Sequence, residues 1–198
     1  MSTMIRQSLE KLYQGSGVLA AVFLVAICLM VLLQVGANLI DRMAGLILGE
    51  AIGITIPSYS DFTGFFLAAS SFLALAYTLR GGGHIRVTLI VSHLHGRAAR
   101  IVELIVIGFA ATLSGFFAYN TINLVAESLE FNDLSPGIVA VPIWIPQLPM
   151  ALGLIVLTIA LVDDLVQLLR GEDPSYKSHH DGLISETDGT ADSVMDAE

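Results

Sequence analysis

The residues best suited to chemistry are a pair of histidines and a run of glycines, and both patterns fall short of a site. His93 and His95 stand two positions apart, but two histidines alone do not supply the full ligand set of a protein metal centre. Gly81–Gly83 lack the later glycine of a dinucleotide-binding turn, and an apolar helix-length run precedes them instead of a strand. We therefore predict no catalytic residue, no metal site and no cofactor.

The other groups with chemical potential are poorly placed. The single cysteine, Cys28, lies inside an apolar run and has no partner for an internal disulfide. A protein that holds haem between its helices needs axial histidines there, whereas all five histidines lie outside the long apolar runs, at positions 84, 93, 95, 179 and 180. The centres of those runs also lack the ionisable residues that mark ion and proton paths.

The composition indicates a membrane protein. Of the 198 residues, 55% are hydrophobic and only 14% are charged, whereas soluble domains are about one quarter charged. The formal net charge of -9 is concentrated at the end of the chain, where residues 171–198 hold eight acids and one lysine. We interpret this segment as an acidic, disordered tail, and we expect no nucleic-acid partner.

Four uncharged apolar runs are long enough to cross a bilayer, which takes about 20 residues in a helix. The sequence therefore predicts an all-α integral membrane protein with four transmembrane helices. Its parts are an N-terminal segment 1–14, a membrane domain 15–170 with spans near 15–40, 60–80, 101–126 and 143–169, and the tail 171–198.

Basic residues predict the orientation of these spans, because loops rich in lysine and arginine stay in the cytoplasm. Arg42 lies on one side of the membrane, and the other eight of the nine basic residues lie on the opposite side. Both termini and the loop from Arg80 to Arg100 are therefore predicted to be cytoplasmic. The loop over residues 126–142 then faces outwards.

The first outer loop is unusual because residues 41–58 are strongly apolar. Gly45, Gly49 and Gly53 are spaced by four, which would align them on one face of a helix where another helix can approach closely. Three alternatives remain open for residues 43–57: a short interfacial helix on the lipid, a short helix packed against a partner, or a further span.

Small and polar residues in the spans offer packing contacts. Gln34 and Asn38 lie four apart, so they share one face of the first span. Ala111 and Gly115 form a small-residue pair of the kind that lets membrane helices approach closely. Such contacts can be made within the chain or with another subunit, and both alternatives remain open.

Two adjacent acids, Asp163 and Asp164, lie at the predicted cytoplasmic end of the fourth span. A buried carboxylate needs a charged or hydrogen-bonding partner, whereas a solvated one does not. Two alternatives remain open: the acids are solvated at the membrane surface, or they face basic residues of the second loop, namely Arg80, Arg86, Arg97 or Arg100.

Two short motifs, in this order within four spans, resemble those of a known family. Asp61 begins the second span, and Gly83-His84-Ile85-Arg86-Val87 follows its end. A proline-rich entry to the fourth span reads Pro142-Ile143-Trp144-Ile145-Pro146. The arrangement resembles the small permease subunit of the tripartite ATP-independent periplasmic (TRAP) transporters, the DctQ-like family. The likeness runs from about Leu9 to Arg170, and Thr88 stands where the family commonly has aspartate.

The resemblance implies a function in solute uptake. In this family a periplasmic substrate-binding protein captures a small solute, often an organic acid. A large multi-span permease subunit moves the solute across the membrane, usually by symport driven by a sodium gradient. The small subunit is expected to lie in the bacterial inner membrane as a non-enzymatic scaffold. The motif residues expected at subunit interfaces are Asp61, Gly83, His84, Arg86, Val87, Pro142, Trp144 and Pro146.

Two other classes of function remain open from the sequence. One is a membrane anchor subunit of a redox complex, which bound haem in the purified protein would favour. The other is a free-standing small transporter, which transport by the isolated chain in liposomes would establish.

Overall fold

The computed structural model describes residues 3–48, 53, 55–81 and 97–170. Each of the helices in this part is long and apolar enough to cross a membrane, and the same residues form no β-structure beyond one isolated bridge. The predicted all-α fold with four membrane-capable helices is therefore confirmed. We number the helices in chain order as α1 (Thr3–Leu48), α2 (Tyr59–Arg80), α3 (Arg97–Glu130) and α4 (Trp144–Arg170).

Helix α1 is much longer than the span predicted at 15–40. Its 46 residues extend about 69 Å at the helical rise of 1.5 Å per residue, whereas the hydrocarbon core is about 30 Å thick. Helix α1 continues past Asp41 and Arg42, where hydropathy alone placed the end of the span, and it contains no proline that would interrupt it.

A separate short helix over residues 43–57 is not formed, so this prediction is wrong. Residues 43–48 continue α1, whereas Gly53 and Ile56 are not helical. Gly53 has a φ of 75°, a left-handed conformation that glycine adopts without a Cβ clash. Gly45 therefore lies on α1 and does not share a helical face with Gly53.

The helices pack chiefly in the spatial order α1, α2, α4, α3. The close approach of α2 and α4 depends on Gly153, where a Cβ would lie 2.9 Å from the backbone nitrogen of Leu73 and closer still to the Phe72 carbonyl. Helices α3 and α4 meet through a hydrogen bond of 2.9 Å between the hydroxyls of Ser114 and Thr158. This order makes α1 and α3 the two outer helices.

A cluster of buried apolar residues lies toward one end of the bundle. We call this end, where α2 finishes, the Arg80 end, and the opposite end, where α4 begins, the Trp144 end. Large apolar side chains elsewhere are mostly exposed, as expected of helix surfaces that face lipid. The residues of the buried cluster are Tyr13, Ala76, Leu79, Ala111, Val156, Ala160 and Leu161.

Candidate functional site

A buried ion pair joins α2 to α4 at the Arg80 end. The Arg80 guanidinium pairs with the Asp163 carboxylate, and their side chains are only 13% and 6% exposed. Gln167, one turn further along α4, donates a hydrogen bond from Nε2 to Asp163 Oδ2 at 3.1 Å. Each charge alone is costly to remove from water, so the pairing and the added hydrogen bond are what permit both to be buried.

Tyr13 brings α1 to the same ion pair. Its side chain is almost fully buried, and the guanidinium carbon of Arg80 lies 4.5 Å from the ring centroid. A cation at that distance from an aromatic centroid is attracted to the ring face. Ser16 donates a hydrogen bond to the Tyr13 carbonyl oxygen at 2.9 Å. This Arg80 cluster, defined as Tyr13, Arg80, Asp163 and Gln167, therefore fixes α1, α2 and α4 relative to one another.

Two further acids are buried, one next to Asp163 on α4 and one on α3. Asp164 and Glu103 are 1% and 2% exposed, and neither is without a partner. Arg100 ties α3 to α4 by donating a hydrogen bond to the Leu168 carbonyl oxygen at 2.8 Å. Of the two alternatives for Asp163 and Asp164, solvation at the membrane surface is wrong, because both side chains are buried.

At the Trp144 end, the loop between α3 and α4 folds back on itself and contacts the start of α2. The Ser135 amide donates to the Val141 carbonyl oxygen at 2.8 Å, which closes the loop. The Val139 amide donates to the Ser58 hydroxyl oxygen at 2.9 Å, which attaches the loop to α2. Neutral hydrogen bonds thus join these two segments, in contrast to the ion pair at the Arg80 end.

Asp61 lies against the same loop. A Cβ at Gly137 would lie 3.1 Å from Ser58 Oγ and closer still to the Asp61 carboxylate. Only a residue without a side chain therefore allows this approach. Asp61 is in the first turn of α2, where a carboxylate interacts favourably with the helix dipole. The structure thus brings the predicted acid of the second span beside the loop that leads into α4.

The three motif residues at the entry to α4 shape the start of that helix. Pro142 and Trp144 are partly buried, and Pro146 is buried. The Pro142 carbonyl accepts a hydrogen bond from the Ile145 amide at 3.1 Å. Pro146 lies in the first turn, where its missing N–H costs no intrahelical hydrogen bond. Their location at a subunit interface stays a prediction.

Gln34 and Asn38 lie on one face of α1 and bond to each other, with Gln34 Nε2 donating to Asn38 Oδ1 at 3.3 Å. Gln34 Oε1 also accepts from the Ile56 amide at 3.0 Å. Asp41 Oδ1 accepts from the Gly53 amide at 2.6 Å. These bonds hold the segment before α2 against α1, so the polar face of α1 binds backbone of its own chain.

Several site residues predicted from the sequence lie outside the described part of the chain. Those outside are Gly49, Gly83, His84, Arg86 and Val87.

The residues of these contacts that the sequence analysis missed are Tyr13, Ser58 and Gln167. The spacing of Gln167 four residues after Asp163 was a usable signal, because it places both on one helix face. Tyr13 and Ser58 act through contacts with distant segments, for which the sequence carries no local signal.

Residues 3–48, 53, 55–81 and 97–170 contain no group of three or more histidine, cysteine, aspartate or glutamate residues arranged to hold a metal ion. A family model described as the DctQ component of the tripartite ATP-independent periplasmic transporters matches residues 43–171. The chain belongs to this family. No curated protein matches it in sequence, and no solved structure matches it.

The DctQ match covers three of the four helices that the structure describes completely and the first helix only at its end. It includes α2, α3, α4 and the last residues of α1, and therefore Asp61, Arg80 and Asp163. It leaves out most of α1, including Tyr13 and Gln34. The contacts of α1 with the Arg80 cluster and with the segment before α2 thus involve residues beyond the DctQ match.

Proposed function

We propose that this chain is the small membrane subunit that scaffolds the large, multi-span permease subunit of a TRAP-type importer. The DctQ match over residues 43–171 carries this proposal. We further propose that the complex takes up a small organic acid by sodium-driven symport across the bacterial inner membrane. A periplasmic substrate-binding protein delivers the solute, and the small subunit catalyses no reaction.

The placement of charges supports a static role. Arg80 and Asp163 are engaged with each other at one end of the bundle. The contact of Ser114 with Thr158, further along α3 and α4, is neutral. A path for ions or acids requires ionisable or polar groups that are available to the solute. Because these polar groups join helix to helix, we assign the transport path to the large subunit.

The predicted orientation places the two ends of the bundle in different environments. With both termini in the cytoplasm, the Arg80 end is cytoplasmic and the Trp144 end is periplasmic. Three exposed acids, Glu127, Glu130 and Asp133, then lie on the periplasmic side. That side is where a soluble binding protein would dock, and a basic surface on that protein would complement Asp133, in the loop after α3.

The proposal is tested by reconstituting uptake in proteoliposomes. Vesicles would contain the large subunit with or without this chain, and the binding protein, a radiolabelled solute and an inward sodium gradient would be supplied. We expect uptake only when the chain is present. A variant with Arg6→Ala, which within the described residues alters an exposed pair with Glu10, serves as a matched control and should restore full uptake.

Two outcomes would contradict the proposal. Equal uptake by the large subunit alone would remove the scaffold role. Uptake by vesicles that contain only this chain would identify a free-standing transporter instead.

A further inference from the structure

The two sides of α3 differ in what they contact. One side faces α4 and is buried, as shown by Ile107, Ala111, Ser114 and Ala118. The opposite side is exposed. We call it the α3 outward face and define it as Ile105, Phe109, Thr112, Phe116, Tyr119, Asn120 and Asn123.

Three polar side chains stand together on the α3 outward face. Tyr119 is 66% exposed, and Asn120 and Asn123 are also exposed. Asn120 Nδ2 donates to the Phe116 carbonyl oxygen at 2.7 Å, which leaves its Oδ1 available as an acceptor. Within the described residues, the side chain of Asn123 makes no hydrogen bond. Both amides therefore have unused hydrogen-bonding capacity.

The two asparagines lie within the apolar layer by position. The uncharged run from Leu104 to Ala126 has Gly115 at its middle. At 1.5 Å per residue, Asn120 lies about 7.5 Å and Asn123 about 12 Å from that middle along the helix axis, within the half-thickness of about 15 Å of the hydrocarbon core. Amides exposed to hydrocarbon lose the hydrogen bonds that water would supply.

The outward face of α1 provides a contrast within the same molecule. A row of its exposed residues from Val18 to Leu39, at steps of three, four or seven positions, is aliphatic, and the exposed Cys28 lies beside this row. Lipid tails solvate such a surface well, so it needs no protein partner. This row, which we call the α1 outward face, consists of Val18, Val22, Val25, Leu29, Leu32 and Leu39.

We propose that the α3 outward face is the surface that docks a membrane helix of the large permease subunit, whereas the α1 outward face contacts lipid. This inference rests on the proposed function. The docked helix presents hydrogen-bonding side chains opposite Asn120 and Asn123, because buried amides in membranes are satisfied by neighbouring helices. Aromatic residues such as Phe116 supply the apolar contact area around these bonds.

The negative charge at one end of the α3 outward face favours docking of a different protein over docking of a second copy of this chain. Glu127 and Glu130 are exposed and continue the same helical face toward the Trp144 end. In a parallel two-fold contact, each of these carboxylates would meet its own counterpart, and like charges at close range repel. A helix with a basic residue at the level of Glu127 would complement the face.

The direct test is photo-crosslinking in the assembled complex. A benzophenone amino acid would be placed at Phe116 or Tyr119 on α3, and at Val25 or Leu32 on α1. Co-purification of the large subunit with each variant is measured first, which tests the proposed function separately. We expect crosslinks to the large subunit from the α3 positions and crosslinks to lipid only from the α1 positions.

Three crosslinking results would overturn the inference while leaving the proposed function intact. The first is crosslinking to the large subunit from α1 and not from α3. The second is crosslinking from α3 to lipid alone, and the third is crosslinking from α3 to a second copy of this chain. Failure of the unlabelled chain to co-purify the large subunit would instead overturn the proposed function.

A substitution provides an independent check. The double change Asn120→Leu and Asn123→Leu keeps side-chain size similar and removes the amides. We expect the large subunit recovered per chain to fall about threefold or more, because its polar groups lose their partners. Thr78→Val is the matched control, since the Thr78 hydroxyl is exposed and bonds only to its own helix in the described residues. Unchanged or increased recovery with the double variant would contradict the inference.

Discussion

The two ends of the bundle are held by different interactions. At the Arg80 end, buried charges join three helices, whereas the bonds at the Trp144 end that join loops to helices are neutral or, at Asp41, exposed. A buried charge strongly penalises loss of its partner, whereas a neutral hydrogen bond contributes about 1 kcal/mol. The comparison therefore predicts that substitutions at the Arg80 end lower the free energy of unfolding most.

Breaking the buried ion pair should have the largest effect. Arg80→Leu leaves the Asp163 carboxyl group buried and without its main partner, which should lower the free energy of unfolding by about 3–5 kcal/mol. The double variant Arg80→Leu with Asp163→Leu should recover most of that loss, because neither charge remains buried. Unfolding in mild detergent measures both variants.

The exposed pair of Arg6 with Glu10, at 4.0 Å, gives the matched control. Arg6→Ala should change the free energy of unfolding by less than about 1 kcal/mol. Equal effects of Arg80→Leu and Arg6→Ala would contradict the contrast between buried and exposed charge pairs.

Filling the close contact of α2 with α4 should have the next largest effect. Gly153→Ala places a methyl group against the backbone of Phe72 and Leu73, so the helices must separate, at a cost of about 1–3 kcal/mol. Gly36→Ala is the control, since a Cβ there has nothing within 4 Å. Thermal unfolding should distinguish them. A Gly153→Ala variant as stable as Gly36→Ala would show that this contact is not tight.

A substitution at the Trp144 end should have a smaller effect on the free energy of unfolding. Gln34→Leu removes the acceptor of the Ile56 amide and should cost about 1–2 kcal/mol, because a partly buried donor is left without a partner. Hydrogen exchange at the Ile56 amide should rise without global unfolding. If hydrogen exchange of amides at the Arg80 end rises equally in this variant, the two ends do not open independently of each other.

The smallest expected effect is at the neutral contact of α3 with α4. Ser114→Ala removes the hydrogen bond to Thr158 but leaves Thr158 bonded to the Leu154 carbonyl. We expect a loss of about 0.6 kcal/mol, measured by unfolding in detergent. A loss as large as that of Arg80→Leu would make this contact, and not the ion pair, the main link between helices.

The sequence was sufficient for the four membrane-capable helices because each apolar run matches the bilayer thickness. It was also sufficient for the shared face of Gln34 and Asn38, which follows from helical periodicity. It misplaced the end of α1, since hydropathy marks where apolar residues stop and not where hydrogen bonding of a helix stops. Residues 43–48 remain helical although charges precede them.

The candidate site was only partly predictable for a different reason. Asp163 was recognised, but its pairing with Arg80 depends on which helices are neighbours, and the sequence does not encode that order locally. Tyr13 contacts Arg80 although the two residues lie on different helices and far apart in the chain. The nearness of Asp61 to Gly137 has the same origin. Long-range contacts of this kind follow from the packing of complete helices.

The most direct test of the central claim is to purify the tagged chain from its native membrane in mild detergent and identify its stoichiometric partners by mass spectrometry. The account predicts a very hydrophobic partner with many predicted spans, at one copy per copy of this chain. Recovery of a haem or flavin subunit, or of the chain alone, would contradict the assignment as the small subunit of a solute importer.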